Sequence, residues 1–451
     1  MPSAEDAPVS DGEAATLFAP LRDRAGLVLA VSGGPDSSAL LLLYARARSL
    51  DPSLPPATVV TVDHRLRPRS AEEARCVAAL AARHGLPHRT LVWEGAKPTA
   101  DLQAAARRAR YDRLVATAYD LGFDTLVTAH HAEDQAETFL ARLARGSGVV
   151  GLAAMAPRRP IDGLLLVRPF LALPRARLAA TLTAAGETWI DDPSNRDLRF
   201  DRARLRAAAP LLAELGLTRD RLVATAAAMA AAAAEIDRGC ETIVARGGHF
   251  DPGGWTSIAA DLYAGADRQT RIRLLGRLIR AVGGADHAPH RTALEAVEAA
   301  LAAGGAEATM PARCLGGTRI EKRRDRLWIA PEIGRGAGPR LDLAPGGWAR
   351  WCGRRVTLAA AAPAAVTIAP LGHRGRLTLR AADPPSRPTG RPSPVAAVVE
   401  TTPAIFVAGE LVACPGLGYE VGAPVRWSDL VRFSSLEVAF AATGVGVGAI
   451  R

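Results

Sequence analysis

A chain of 451 residues, 49% of them apolar, exceeds one ordinary core and sets the expectation of two or three globular domains. Its net charge of +10 favours a polyanionic partner, but 54 arginines against two lysines (Lys97 and Lys322) amid abundant alanine is also what a GC-rich coding sequence yields without selection for binding. No run nears the roughly 18 apolar residues of a membrane span. The first twenty residues carry Glu5, Asp6, Asp11 and Glu13 where a secretory leader would be basic, and the five cysteines lack any Cys-x-x-Cys pair, so a cytoplasmic protein without membrane, zinc or cluster chemistry is expected.

Taken in chain order, short apolar runs at Leu27 to Val31, Thr58 to Val62, Arg89 to Trp93, Thr125 to Ala129 and Leu164 to Val167 read as strands. Between them, Ser37 to Arg48, Ala71 to His84, Asp101 to Leu121 and Glu133 to Leu143 have helical apolar spacing. Alternation of this kind predicts an α/β domain, a doubly wound and mainly parallel sheet whose chemistry lies at the carboxyl ends of the strands. After Pro210 the pattern turns helical, at Thr218 to Ile236, Asp267 to Val282 and Arg291 to Ala303. Beyond Cys314 it shortens to strand-like runs at Thr318 to Glu321, Arg326 to Ala330 and Arg355 to Leu358, and Asp383 to Pro394 reads as a Pro-rich connector. The expected organisation is a catalytic domain over 1–212, a small helical domain over 213–335 and a small β-rich domain over 336–451.

The first predicted strand runs straight into Ser32-Gly33-Gly34-Pro35-Asp36-Ser37 and then into a leucine-rich helix. Adjacent glycines let backbone approach a ligand closely. The helix start offers unpaired N–H groups and partial positive charge to an anion, and Ser32 and Ser37 can donate hydroxyl hydrogens. A carboxylate beside phosphates repels them unless a cation lies between, which assigns Asp36 to Mg²⁺. The lysine of a Walker A loop is missing. Strand, loop and helix together therefore resemble the N-type ATP-pyrophosphatases, and that resemblance implies cleavage of ATP to AMP and pyrophosphate as a carbonyl or carboxyl oxygen is adenylated.

A second motif, Thr128-Ala129-His130-His131-Ala132-Glu133-Asp134-Gln135-Ala136-Glu137-Thr138 followed by Arg145-Gly146-Ser147-Gly148, resembles the tRNA(Ile)-lysidine synthetase family. Val62-Asp63-His64-Arg65-Leu66-Arg67 and Trp189-Ile190-Asp191-Asp192-Pro193-Ser194-Asn195 are similar to segments of the same family, and the likeness covers residues 25 to 210. His130, Asp134 and Glu137 share one face if a helix begins at His130. The resemblance implies Asp134 for metal, Glu137 for proton transfer and His130 for a phosphate or carbonyl contact. Asp63 and His64, at a strand end, are where nucleotide contacts are expected. Glu133 departs from the family's usual Asp.

Arg196, Arg199, Arg202, Arg204 and Arg206 crowd into eleven residues, matching a family pattern except that Ala203 replaces an Asn. Arginine forks suit phosphate oxygens, so Arg202 and Arg206 are the expected phosphate or RNA contacts, with Arg202 also in the catalytic set beside Asp36 and Glu137. Asp191 and Asp192 could meet a substrate ammonium or could simply form a turn.

Altogether the resemblance implies a C–N bond-forming ligase that uses ATP, Mg²⁺ and L-lysine to convert the wobble cytidine of a CAU-anticodon tRNA(Ile) to lysidine, and it is compatible with a homodimer. Two rivals are a tRNA thiolation enzyme of the same superfamily, which would normally want paired cysteines, and a nucleotide-gated RNA-binding protein without catalysis.

Overall fold

The computed structural model describes residues 7–65, 70–95, 97–98, 102–190, 201–285, 287–303, 309–323, 325–334, 339–352, 354–381, 396–421 and 425–434. The chain divides into two compact units after Ala233. Among the described residues no helix is long and apolar enough to cross a membrane.

In the first unit the elements run α1 (Asp11–Phe18), β1 (Leu27–Ala30), α2 (Pro35–Leu50), β2 (Ala57–Asp63), α3 (Ser70–Arg83), β3 (His88–Val92), α4 (Leu102–Asp120), β4 (Thr125–Val127), α5 (Ala132–Ala144), α6 (Val149–Leu152), β5 (Arg158–Ile161), β6 (Leu164–Val167), α7 (Arg175–Ala184) and α8 (Asp201–Glu214). Then α9 (Arg219–Gly247) runs past the division. The six strands form one sheet in the order β3-β2-β1-β4-β6-β5, parallel except for the β5–β6 hairpin.

Period-two alternation explains why both faces of this sheet are covered. Leu27 and Leu29 pack into a core with α1, α2, α3 and α7, whereas Val28 between them packs with Leu126, Leu166 and the α4 residues Tyr111, Leu114 and Val115. Helix α2 is buried almost all round, Leu40 to Leu43 included, because sheet and neighbouring helices enclose it. Strand order reverses direction between β1 and β4, which places a crevice at their carboxyl ends, where both functional motifs begin.

All five expected strands are in the sheet, within one or two residues of the expected bounds. Strand β5 and helices α1, α7 and α8 were not expected: β5 has a charged, Pro-containing sequence, and α8 carries Pro210 inside it. The alanine-rich helix, expected to stop at Ile236, continues to Gly247 because Cys240 and Ile243 extend its buried stripe.

In the second unit, β7 (Gly248–Phe250), β8 (Thr256–Ala259), α10 (Ala260–Ala264), α11 (Arg268–Gly283), α12 (Arg291–Ala302), β9 (Met310–Leu315), β10 (Thr318–Arg323) and β11 (Arg326–Pro331) make a five-stranded sheet, order β7-β8-β11-β10-β9, packed by α11 and α12. This helical region therefore contains more strand than its pattern foretold, since β7 and β8 are too short to show a period. Downstream, a second five-stranded antiparallel sheet and a three-stranded one share a core through Trp351, Val356, Ile368 and Ile405. The connector expected at Asp383 to Pro394 lies outside the described residues.

Candidate active site

The phosphate loop is built by its own sequence. Gly34 is the extended N-cap of α2 and Pro35 its first residue, where a missing N–H costs nothing and the fixed φ suits the helix. Ser32 N–H donates to Ser37 Oγ at 3.1 Å, and Ser37 Oγ donates to the Gly34 carbonyl at 3.1 Å, so the two serines close the loop on itself. Gly33 has φ +90°, and a Cβ there would stand 2.4 Å from Ile190 Cδ1. Ile190 N–H donates to the Gly33 carbonyl at 2.9 Å, which seats the segment 187–190 against the loop. That segment is fastened at its other end by Glu187, which pairs with Arg83 at 2.5 Å and His84 at 2.8 Å on α3. Between them is a cavity of about 240 Å³ lined by Gly33, Ser38, Cys76, Val77, Leu80 and Ile190, among others.

Asp36, in the first turn of α2, faces the start of α5. His131 Nε2 lies 3.6 Å from Asp36 Oδ2 and 3.4 Å from Asp134 Oδ2, while His131 Nδ1 lies 3.0 Å from Glu133 Oε2. Three carboxylates thus surround one imidazole that is 2% exposed. Burial alone would lower the His131 pKa, but these neighbours push it up to about 10, so it is an imidazolium at neutral pH. Burial likewise opposes ionisation of Asp36, yet His131 and Arg175, whose Nε lies 3.2 Å from Asp36 Oδ1, hold its carboxyl below the ordinary range.

Glu133 acquires a definite place here. Its Oε2 accepts from the Arg175 N–H at the start of α7 at 2.9 Å, and its Oε1 pairs with Arg219 Nη1 at 3.3 Å. Burial would raise its pKa; His131 and the Arg175 N–H bring it down to about 2. The extra methylene relative to Asp lets one carboxylate reach an imidazole, a helix N-terminus and a guanidinium together.

Helix α5 starts at Ala132, with His131 as its extended N-cap at φ −125° and ψ −176°. His130 therefore precedes the helix and does not share its face; its Nδ1 is 2.9 Å from Thr128 Oγ1. Asp134 and Glu137 do lie on α5, and Asp134 Oδ2 accepts from the His131 N–H at 3.2 Å. Glu137 is buried, its Oε1 gripped by Arg206 Nε at 2.9 Å and Nη2 at 2.8 Å from α8. Arg202 lies on α8, and its side chain is outside the described residues, as are Asp191, Asp192, Arg196 and Arg199. Asp63 ends β2 as a turn-former: its Oδ1 accepts from the Arg65 N–H at 2.7 Å, and Arg65 has φ 49°.

The sequence reading missed His131, Arg175 and Arg219. An Asp three residues after a prospective N-cap was the available signal for His131. No local pattern announces Arg175 or Arg219, which reach the site through the fold.

Among the described residues, no group of three His, Cys, Asp or Glu is arranged to hold a metal ion unaided. Mg²⁺, however, takes one or two carboxylates together with phosphate oxygens and waters. Asp36 Oδ2 and Asp134 Oδ2 both converge on His131 Nε2, and that donor set fits this mode. All five cysteines are free and scattered, Cys240 and Cys414 being buried.

Comparison with known proteins gives the family of the chain. The PP-loop domain family matches residues 8–212. A protein of Bradyrhizobium diazoefficiens described as tRNA(Ile)-lysidine synthase is 44% identical over 350 residues, covering 76% of this chain and 95% of that one. Relatives of the same description from Methylobacterium sp. (48% identity, 68% of this chain, 89% of the relative) and Ruegeria pomeroyi (39% identity, 88% and 90%) extend the match into the second unit.

Proposed function

The chain belongs to the tRNA(Ile)-lysidine synthase family, and we propose that it runs that family's ATP-dependent reaction in the crevice between β1 and β4. The observation that carries this reading is the convergence of Asp36, from the phosphate loop, with Asp134 and Glu133 from α5 on His131.

The C2 carbonyl oxygen of the wobble cytidine attacks the α-phosphorus of ATP, and the bond to pyrophosphate breaks. The ε-amine of L-lysine then attacks C2, AMP leaves with the oxygen, and the amine's proton passes to a base. The N–H groups at the start of α2, with the turn fixed by Ser32 and Ser37, receive phosphate oxygens. An anticodon base is accessible because it can be splayed from a single-stranded loop.

Mg²⁺, held by Asp36 and Asp134, would supply charge neutralisation for the departing pyrophosphate. His131 and Arg175 offset the negative charge those carboxylates bring to the site. Arg202 and Arg206 are assigned to phosphate or RNA, and Asp63 and His130 to the nucleotide. Glu137 is assigned as the base, and its grip on Arg206 also sets that arginine's position. In this reading residues 1–212 catalyse while 213–335 and 336–451 hold the rest of the tRNA; a cytoplasmic location and a homodimeric state belong to the same proposal.

The test is release of AMP and pyrophosphate. It should require both tRNA and Asp36, so that Asp36→Ala abolishes it; release that ignores tRNA, or survives that change, would contradict the reading.

A further inference from the structure

Many arginines in the described structure answer a carboxylate, as Arg177 answers Glu13, Arg271 answers Glu298 and Arg273 answers Asp237. One group differs. On the α4 side of the parallel sheet, Arg107 and Arg110 stack on Tyr111 with guanidinium carbons 5.1 and 5.4 Å from the ring centroid. Arg168, just past the carboxyl end of β6, and Arg159, on the adjoining strand β5, complete the ring of positive charge around the same phenol. Burial disfavours ionising Tyr111, yet those four guanidiniums hold its pKa below the usual value.

The floor of this group is buried: Arg168 is 4% exposed and Tyr111 8%. Arg168 Nη1 donates to the Ala156 carbonyl at 2.7 Å and its guanidinium faces the Tyr111 hydroxyl, but among the described residues Arg168 Nε and that hydroxyl make no hydrogen bond of good geometry. Arg107, Arg159 and Arg168 have no carboxylate partner among the described residues. The rim is open, because Arg107 and Arg159 are exposed. Buried cationic and hydroxyl donors beneath an exposed cationic rim leave a defined role for an anion with several acceptor oxygens.

We propose that Arg107, Arg110, Arg159 and Arg168, with the Tyr111 hydroxyl, bind a phosphodiester group of the RNA substrate. This rests on the reading that the substrate is a tRNA. ATP's own phosphates are placed at the start of α2, whose core lies on the opposite face of the sheet from α4. A backbone phosphate suits the open rim, since it must enter with its chain continuing on both sides.

The experiment measures tRNA transcript binding across a potassium chloride series for the wild type and for the double variant Arg107→Gln/Arg159→Gln, with KM values for ATP and lysine alongside. Neutralising one single-stranded phosphate contributes about 0.7 to the log–log salt slope, so the double variant, which strips the rim from that one phosphate, should be flatter by up to about 0.7 and bind more weakly at every salt concentration. KM for ATP should not move. Tyr111→Phe, which keeps the ring on which the arginines stack, should weaken tRNA binding to a smaller extent. An unchanged salt slope overturns the proposal, and so does a rise in the KM for ATP with tRNA binding intact, which would hand the site to the nucleotide. Binding is read without turnover: a flattened slope in a protein that incorporates no lysine leaves this site standing while the proposed reaction falls, and an unchanged slope in an active enzyme does the reverse.

Discussion

His131 Nε2 stands 3.6 Å from Asp36 Oδ2, so one buried imidazolium ties the first turn of α2 to the start of α5. The phosphate loop and the carboxylate motif, 95 positions apart in sequence, become one site through that pair.

Removing this cation leaves Asp36, Glu133 and Asp134 facing one another in a half-buried space. His131→Ala should therefore lose at least about 3 kcal/mol of stability in urea unfolding, the scale for breaking a buried charge pair. Activity should fall more than about a hundredfold, beyond what reduced folding explains. His130→Ala removes an imidazole that precedes the helix and is less buried than that of His131, and it should cost less stability; equal losses from the two changes would refute the distinction.

Glu137 and Arg206 hold each other across α5 and α8. A double-mutant cycle with Glu137→Gln and Arg206→Gln should give a coupling free energy of about 1 kcal/mol or more. If Glu137 also serves as base, Glu137→Gln should lower kcat when Arg206 is already absent. Additive effects on stability would show that the two groups act independently.

Gly33 sits at φ +90° under Ile190. Gly33→Ala forces a side chain into a backbone region it rarely adopts, at about 1–3 kcal/mol, and Ile190 can turn aside without relieving that strain. ATP affinity should drop about tenfold or more, measured by isothermal titration. Gly85→Ala, also at positive φ but in open space, should leave ATP binding unchanged.

Glu187 fastens the 187–190 segment to α3, and its carboxyl is held below the ordinary range, first by Arg83 and then by His84. For a depressed carboxylate the stabilising contribution is present above the unfolded value and is lost as pH falls through the folded one. Wild type should accordingly lose more melting temperature between neutral pH and the acidic carboxylate range than Glu187→Gln does. Parallel melting curves for the two proteins would show that the pair contributes nothing to the acid response.

Much of this was legible in the sequence, for identifiable reasons. Leu27 to Ala30 is an unbroken apolar run and Thr58 to Val62 an unbroken β-branched one because both faces of their sheet are buried, and Gly33-Gly34-Pro35 encodes its turn locally. What stayed hidden depends on tertiary placement. His130 and His131 are indistinguishable by type, and only the extended backbone at residue 131 decides which one turns inward. Arg175 begins a helix where a cation is locally unfavourable; it is there because Asp36 is opposite. Strands β7 and β8 have three and four residues, too few to display alternation.

The most direct test of the account is incubation with labelled L-lysine, ATP and a tRNA(Ile) transcript bearing a CAU anticodon. The account predicts lysine incorporation into the tRNA, stoichiometric release of AMP, and loss of both when the wobble cytidine is replaced by uridine. Absence of incorporation, or incorporation indifferent to that base, would contradict it.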